Sequence, residues 1–460
     1  MPSEDYLLKT ALQFDVHKWS DFPEVNTVVN AIYEEIKALR KTKSIRIRGA
    51  DKVKKHLKVV LIDLWAASKL SFNPYRAISK NKSDYQRGSR YRQIFLKFDY
   101  FVPVINDLNE LGYITEKLGA YINGGGFRTR IKAEDKLINK ILSSEFGVDR
   151  LVSAKGNIGI IARTTEIESE LIVLRNQDGA SIEYDDTPSI IEMRSNLKRI
   201  NARLDVTRIT LNITDEQHES LIEQLSSERN PRASIDFTRN QLYRIFNNSS
   251  FEDGGRFYGG WWQLIPKDFR RYIEINRKPI EELDYSGLHI RMLYAIEGLD
   301  PPDEPYDLME FDRANQKLAL LIMINADDET SAIQAMRAKG IRNAKPLSEA
   351  IRARHSSIKD YFFTGIGNTL MYKDSVLAEK VMLSMLDLGA AALPIHDSFI
   401  VRNSYAGELE KVMIKEFVDM FGRDAKLKPK KTVLEEQTNN PLDLETYIGQ
   451  RTWVKSVWGF

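Results

Sequence analysis

The stretch GAAALPIHDSFIVRN, Gly389 to Asn403, is an apolar run, a polar triplet and a second apolar run. It reads as a β-hairpin whose turn carries His396, Asp397 and Ser398. A carboxylate between two buried strands is costly unless it is paired or binds a metal. An exposed turn aspartate carries no such cost, and for Asp397 alone both accounts stand. The same choice arises 113 residues earlier. There RRYIEINRKPIEELDYS is strand-like and delivers Asp284 to the start of a helical stretch, GLHIRML.

As a pair the two aspartates constrain more. Carboxylates on adjacent strands of one sheet can clamp two Mg²⁺ ions about 3.5–4 Å apart. Hard oxygen donors in an incomplete cage suit Mg²⁺ shared with substrate phosphates, with Mn²⁺ as the alternative. The chain between them should then supply cations for a polyphosphate. EFDRANQKLALLIMINADDE places Arg313 and Lys317 four apart on one helix face. Asn325 follows eight residues later on roughly the same face. Taken alone, this is an ordinary amphipathic helix with a solvated basic edge.

At 460 residues two or three domains are expected. No apolar run is long enough to span a membrane, so no membrane partner is expected. MPSEDYLLKTALQF is acidic and amphipathic, unlike a signal peptide. Cysteine is absent, which removes disulfides and thiolate metal sites and fits a reducing compartment. A cytoplasmic monomer of bacterial or phage origin is the expectation. The net charge of +2 is unevenly spread. Residues 1–150 hold 27 Lys and Arg against 18 Asp and Glu, leaving 40 against 47 in the remainder. A basic first third points to a polyanion partner or to a solvated basic surface.

The first 70 residues have apolar spacing of helices. Asn73–Lys97 then carries seven basic residues, one acid and Tyr75, Tyr85 and Tyr91, a mixture suited to phosphate contact and base stacking. A helix, LGYI, a glycine turn at 123–126 and TRI resemble the second half of a winged helix-turn-helix, in which the helix reads a groove. Residues 150–185 are expected to be strand-rich, from IGIIART, SELIVLRN and ASIEYDD. DDTPSIIEMRSNLKRINARL and TDEQHESLIEQLS read as capped helices. SSERNPRAS, 226–234, is polar, contains proline and is the boundary candidate.

Asp-Tyr-Ser after a strand, Arg-x-x-x-Lys on a helix, and His-Asp between apolar runs occur in that order. Together they resemble motifs A, B and C of the family A nucleic-acid polymerases, which include bacterial DNA polymerase I, phage replicative DNA polymerases and single-subunit phage and mitochondrial RNA polymerases. GGRFYGGWWQLIP resembles the family's duplex-touching Gly-Arg…Gln-x-Ile-Pro segment. NTLMYKDSVLAEKVMLSML resembles its helix along the template minor groove. The resemblance spans roughly residues 235–425.

It implies an α+β right hand: an antiparallel palm sheet with helical fingers around 300–370 and a thumb before the palm, preceded by a mostly α winged-helix-like domain. The expected domains are 1–145, basic and nucleic-acid-binding; 146–234, connecting strands and thumb-like helices; and 235–460, palm and fingers. By resemblance, Asp284, Asp397 and the Tyr285 carbonyl hold metal. Arg313, Lys317, His289 and Asn325 meet the nucleotide. Arg256, Gln263, His396, Tyr372 and Lys373 meet the primer–template. The expected activity is template-directed addition of dNTPs to a primer. Its alternatives are an RNA polymerase or primase-like enzyme using rNTPs, and an inactive DNA-binding protein.

The departures concern the sugar. His289 stands where the family's DNA enzymes place a glutamate that blocks a ribose 2′-hydroxyl. Asn325-Ala326 replaces Tyr-Gly, and His-Asp-Ser resembles the RNA branch. Asp107 and Glu110 lie at the wrong spacing, and on a helix, for the family's Asp-x-Glu exonuclease strand, so no proofreading is expected.

Overall fold

In a computed structural model of the chain, the described residues are 3–20, 23–71, 73–85, 90–92, 96–122, 125–143, 162–163, 170–227, 235–237 and 239–430. The first part holds α1 (Glu4–Thr10), β1 (Leu12–Gln13), β2 (Lys18–Trp19), α2 (Pro23–Thr42), α3 (Ala50–Leu70), β3 (Arg76–Ile78), α4 (Phe98–Glu110), β4 (Ile114–Lys117), β5 (Ala120–Ile122), β6 (Gly125–Phe127), β7 (Thr129–Ala133) and α5 (Asp135–Ser143). α2 forms because Val25, Val28, Val29, Ile32 and Ile36 recur at helical spacing and are buried. Its sheet runs β1-β3-β7-β4, with the β5–β6 hairpin beyond β4.

β8 (Ala162–Arg163) pairs β2, and β9 (Ile172–Leu174) follows. ASIEYDD contributes one isolated bridge, Arg175 to Ser181, rather than a strand. The rest of IGIIART and the boundary segment from 228 to 234 lie outside the described residues. α6 (Pro188–Asp205) starts at its Thr187 cap with proline in the first turn. β10 (Ile209–Leu211), α7 (Asp215–Ser227), β11 (Tyr243–Phe246), β12 (Gly254–Tyr258), α8 (Lys267–Arg270), β13 (Ile273–Ile275) and β14 (Lys278–Tyr285) lead to the central sheet.

Beyond it come α9 (Leu288–Ile296), α10 (Arg313–Asn325), α11 (Glu329–Ala338), α12 (Ala344–Arg354), α13 (Gly367–Asp387), β15 (Leu393–Ile395), β16 (Ser398–Arg402), α14 (Ala406–Phe421) and β17 (Leu427–Lys430). The six-stranded antiparallel sheet runs β10-β13-β14-β16-β15, and β17 pairs the far half of β14. The fold is therefore mixed α+β. Residues 300–312 are turns and loop, the helices of this region begin at Arg313, and no described helix is long and apolar enough to cross a membrane.

Strand pairing joins residues from both sides of the boundary candidate. β10 belongs to the same sheet as β14, and β9 pairs in parallel with β11. One apolar core runs from Val16 to Phe417. Across it lies a buried charge cluster. Lys18 Nζ meets Asp63 at 2.5 Å and Asp236 at 3.3 Å, and Arg76 Nη2 meets Asp236 at 2.5 Å. All four side chains are at most 1% exposed.

The basic segment is built into the same framework. Tyr75 donates to Glu4, Tyr85 donates to the Ser79 carbonyl and packs on Phe98, and Tyr91 donates to the Ile182 carbonyl. These phenols hold the fold together instead of offering faces for base stacking. Arg90 stacks 3.6 Å from the Tyr184 ring centre and pairs with Asp186. Asp107 and Glu110 of α4 pair with Arg40 and Lys43.

Breaking a buried ion cluster strands a charge, so Asp236→Ala is expected to lose about 3–5 kcal/mol of stability in chemical denaturation. Lys37→Ala, which removes an exposed pair with Glu34, is expected to leave the midpoint unchanged.

Candidate active site

Along β14 the side chains alternate. Leu283 and Tyr285 face the helices; Tyr285 donates to the Met413 carbonyl at 2.7 Å and packs beside Phe417. Glu282 and Asp284 take the other face. Across the ladder Asp284 lies opposite Ser398 on β16 and Lys428 on β17. The Tyr285 N–H donates to the Asp397 carbonyl at 3.2 Å, which sets Asp397 beside Asp284 at the hairpin tip.

His396, the first turn residue, has φ 56°, a left-handed conformation costing a non-glycine about 1–3 kcal/mol. The hairpin is pinned by Ser398, whose buried hydroxyl donates to Glu282 Oε1 at 2.8 Å. Arg270 reaches the same oxygen at 3.4 Å.

Helix α10 approaches this face. The Arg313 guanidinium and Lys317 Nζ lie 5.6 and 5.3 Å from the centre of the Tyr306 ring. Gly287 has φ 65°, a left-handed conformation that favours glycine, and lies beside the Tyr306 hydroxyl. Burial raises the Tyr306 pKa, Arg313 opposes the rise, and the charge of Asp397 adds to it. The Lys317 pKa is lowered by burial, then by Arg313 and Lys428, while Asp284 opposes the fall. Both aspartates and both helix cations thus share one electrostatic neighbourhood. Arg313 is half-exposed and paired with Glu304 at 2.8 Å, a contact of about 1 kcal/mol or less that a polyphosphate can displace.

A second group forms behind the hairpin. Arg256 donates through Nε and Nη2 to Asp374 at 2.9 and 2.6 Å. His289 Nε2 lies 3.7 Å from Asp374 and 3.4 Å from Arg256. His396 has an open edge, yet the protein around it, and then Arg256, lower its pKa.

Four further expected contacts have partners within the fold or lie beside it. The Gln263 amide donates to the Phe257 and Pro394 carbonyls, tying β12 to β15 rather than facing a duplex. The Asn325 amide turns back to the Leu321 carbonyl and packs against Gly367, where a Cβ would overlap it. Tyr372 packs beside Phe246, with Lys373 half-buried next to it on α13.

Asp374, Tyr306 and Glu282 are site residues that motif reading missed. Asp374 had a signal: it shares helical spacing with the apolar Leu370, Leu377 and Ala378, and a carboxylate on such a stripe calls for a partner.

Asp284, Asp397 and the Tyr285 carbonyl are hard oxygen donors that fit Mg²⁺. Among the described residues no three Asp, Glu or His side chains converge, so an ion here would complete its shell with substrate oxygens.

His355 anchors the segment that carries Tyr306. Its Nδ1 lies 3.0 Å from the Tyr294 hydroxyl and its Nε2 3.0 Å from the Pro305 carbonyl. Burial lowers its pKa below the ordinary 6.5. The unfolded chain therefore takes up the proton first as pH falls. Stability is intact above 6.5 and declines below it. Urea midpoints compared at about pH 7.5 and about pH 5.5 should fall in the wild type and fall less in His355→Asn. His56 and His396, lowered in the same direction by burial, contribute to the remaining slope. No protein-family model matches this chain and no curated protein is similar to it, so its function is inferred from its own residues, register and charge.

Proposed function

We propose that the chain is a template-directed nucleotidyltransferase that adds dNTPs to a primer 3′ end and lacks a proofreading exonuclease. One observation carries this reading. Asp284, near the end of β14, and Asp397, in the turn that leads into β16, are brought side by side by the Tyr285 N–H to Asp397 carbonyl bond, with Lys317 and Tyr306 in electrostatic reach.

In this reading Arg313 and Lys317 neutralise the triphosphate, and Tyr306 holds the two cations at a fixed separation. Asp374 orients Arg256 toward the primer–template, and His289, held by both, is the second residue of α9, five residues after Asp284. Mg²⁺ bound by Asp284, Asp397 and the Tyr285 carbonyl would supply Lewis-acid stabilisation of phosphoryl charge and a more acidic primer hydroxyl.

The first part is proposed to bind nucleic acid. Its β3-β7-β4 order, with a hairpin between β4 and β7, resembles that of a winged helix and supports this reading. Yet α4 carries Asp99, Asp107 and Glu110 and no cation. Phosphate contacts are therefore assigned to Lys41, Arg46, Arg48 and Lys52, all exposed around the α2–α3 loop.

Primer extension with Mg²⁺ tests the activity. Asp397→Ala is expected to lower incorporation by about a hundredfold or more, with dNTPs preferred over rNTPs. His289→Ala should relax that preference. Equal incorporation by wild type and Asp397→Ala would sink the assignment, and an rNTP preference would move it to RNA synthesis. For the first part, Arg46→Ala with Arg48→Ala should reduce the magnitude of the salt slope of duplex binding by about two. An unchanged slope would place the phosphates elsewhere.

A further inference from the structure

β17 brings a lysine to the aspartate face. Lys428 lies directly opposite Asp284 in the antiparallel ladder, so the two side chains share one face of the sheet. It is exposed, and among the described residues no carboxylate lies within ion-pair distance of it.

A cross-strand pair of opposite charges is worth only about 0.2–1 kcal/mol, too little to make Lys428 a structural requirement. The local charge balance is more informative. Lys317 has burial against its charge first, then the like charges of Arg313, Lys428 and Lys267, with Asp284 as the opposing charge. Cations gathered beyond what the carboxylates balance repel each other, and a polyanion relieves that repulsion.

We propose that Lys428 is a phosphate-binding residue of the active site: from the last described strand it completes, opposite Arg313 and Lys317, a cationic cradle for the polyphosphate of the incoming nucleotide or for the pyrophosphate released. The inference rests on the nucleotidyltransferase reading for the identity of the nucleotide, but not for the polyphosphate itself. β17 follows the motif C hairpin by a whole helix, α14, so the contact depends on the C-terminal strand returning to β14.

The test is isothermal titration of the full chain with inorganic tripolyphosphate and Mg²⁺, beside primer extension. Lys428→Ala and Lys428→Gln should each weaken tripolyphosphate binding by about tenfold, the loss of one charge-assisted contact. Lys428→Arg should restore most of it, and Lys415→Ala, on the outer face of α14, should bind as the wild type does. In extension assays the alanine variant should raise KM for dNTP more than it lowers kcat. Lys428 is exposed, so unchanged melting is expected, and the glutamine variant keeps the stem. Undiminished binding by both neutral variants, or no binding by the wild type, overturns the proposal. If the wild type binds tripolyphosphate through Lys428 yet extends no primer, the cradle stands and the polymerase reading falls.

Discussion

Everything at the site hangs on the register between β14 and β16. Strand side chains alternate with a period of two, so a slip of one residue would carry Asp284 to the helix side and Tyr285 to the solvent side. Three interactions prevent it. Tyr285 is anchored on α14 through its hydroxyl, Ser398 is tied to Glu282, and the Tyr285 amide holds the Asp397 carbonyl. Glu282 is buried and would be a liability without Ser398 and Arg270. The polar triplet of the hairpin is thus divided: the serine fixes register, the aspartate faces outward, and the histidine absorbs the backbone strain of the turn.

The parts of the site visible in the sequence are those specified locally. Asp284 at a strand end, Asp397 in a hairpin and Arg313 with Lys317 one helical turn apart follow from periodicity and spacing, and the structure gathers them. Long-range pairings were not visible. Arg256 and Asp374 are 118 residues apart, Tyr75 and Glu4 71, and Tyr91 and Ile182 91. Tyrosines among basic residues therefore resembled a stacking surface, although Tyr75 and Tyr91 are committed to distant partners and Tyr85 to the nearby Ser79 carbonyl. The boundary candidate at 226–234 had local logic, polar and proline-containing, and the strands on either side of it share sheets that local sequence did not announce. Gln263 had the right neighbours for a duplex contact, and nothing nearby in sequence announced its two carbonyl acceptors.

The basic first third likewise divides into structural and available charge. Arg76, Arg90 and Arg40 are consumed by buried or half-buried carboxylates. Counting cations along the chain therefore overstates what a polyanion could meet. The α2–α3 loop retains its charge at the surface, whereas α4 presents acids and amides.

The cluster of Lys18, Arg76, Asp63 and Asp236 carries a mechanical consequence. Separating the two parts of the chain would expose or strand four charges that are now dry, so the first part cannot swing on a tether. Any duplex it held would sit at a constant offset from the hairpin tip. In the function proposed above, it would work as a ruler, fixing how many base pairs lie between the anchored segment and the primer end.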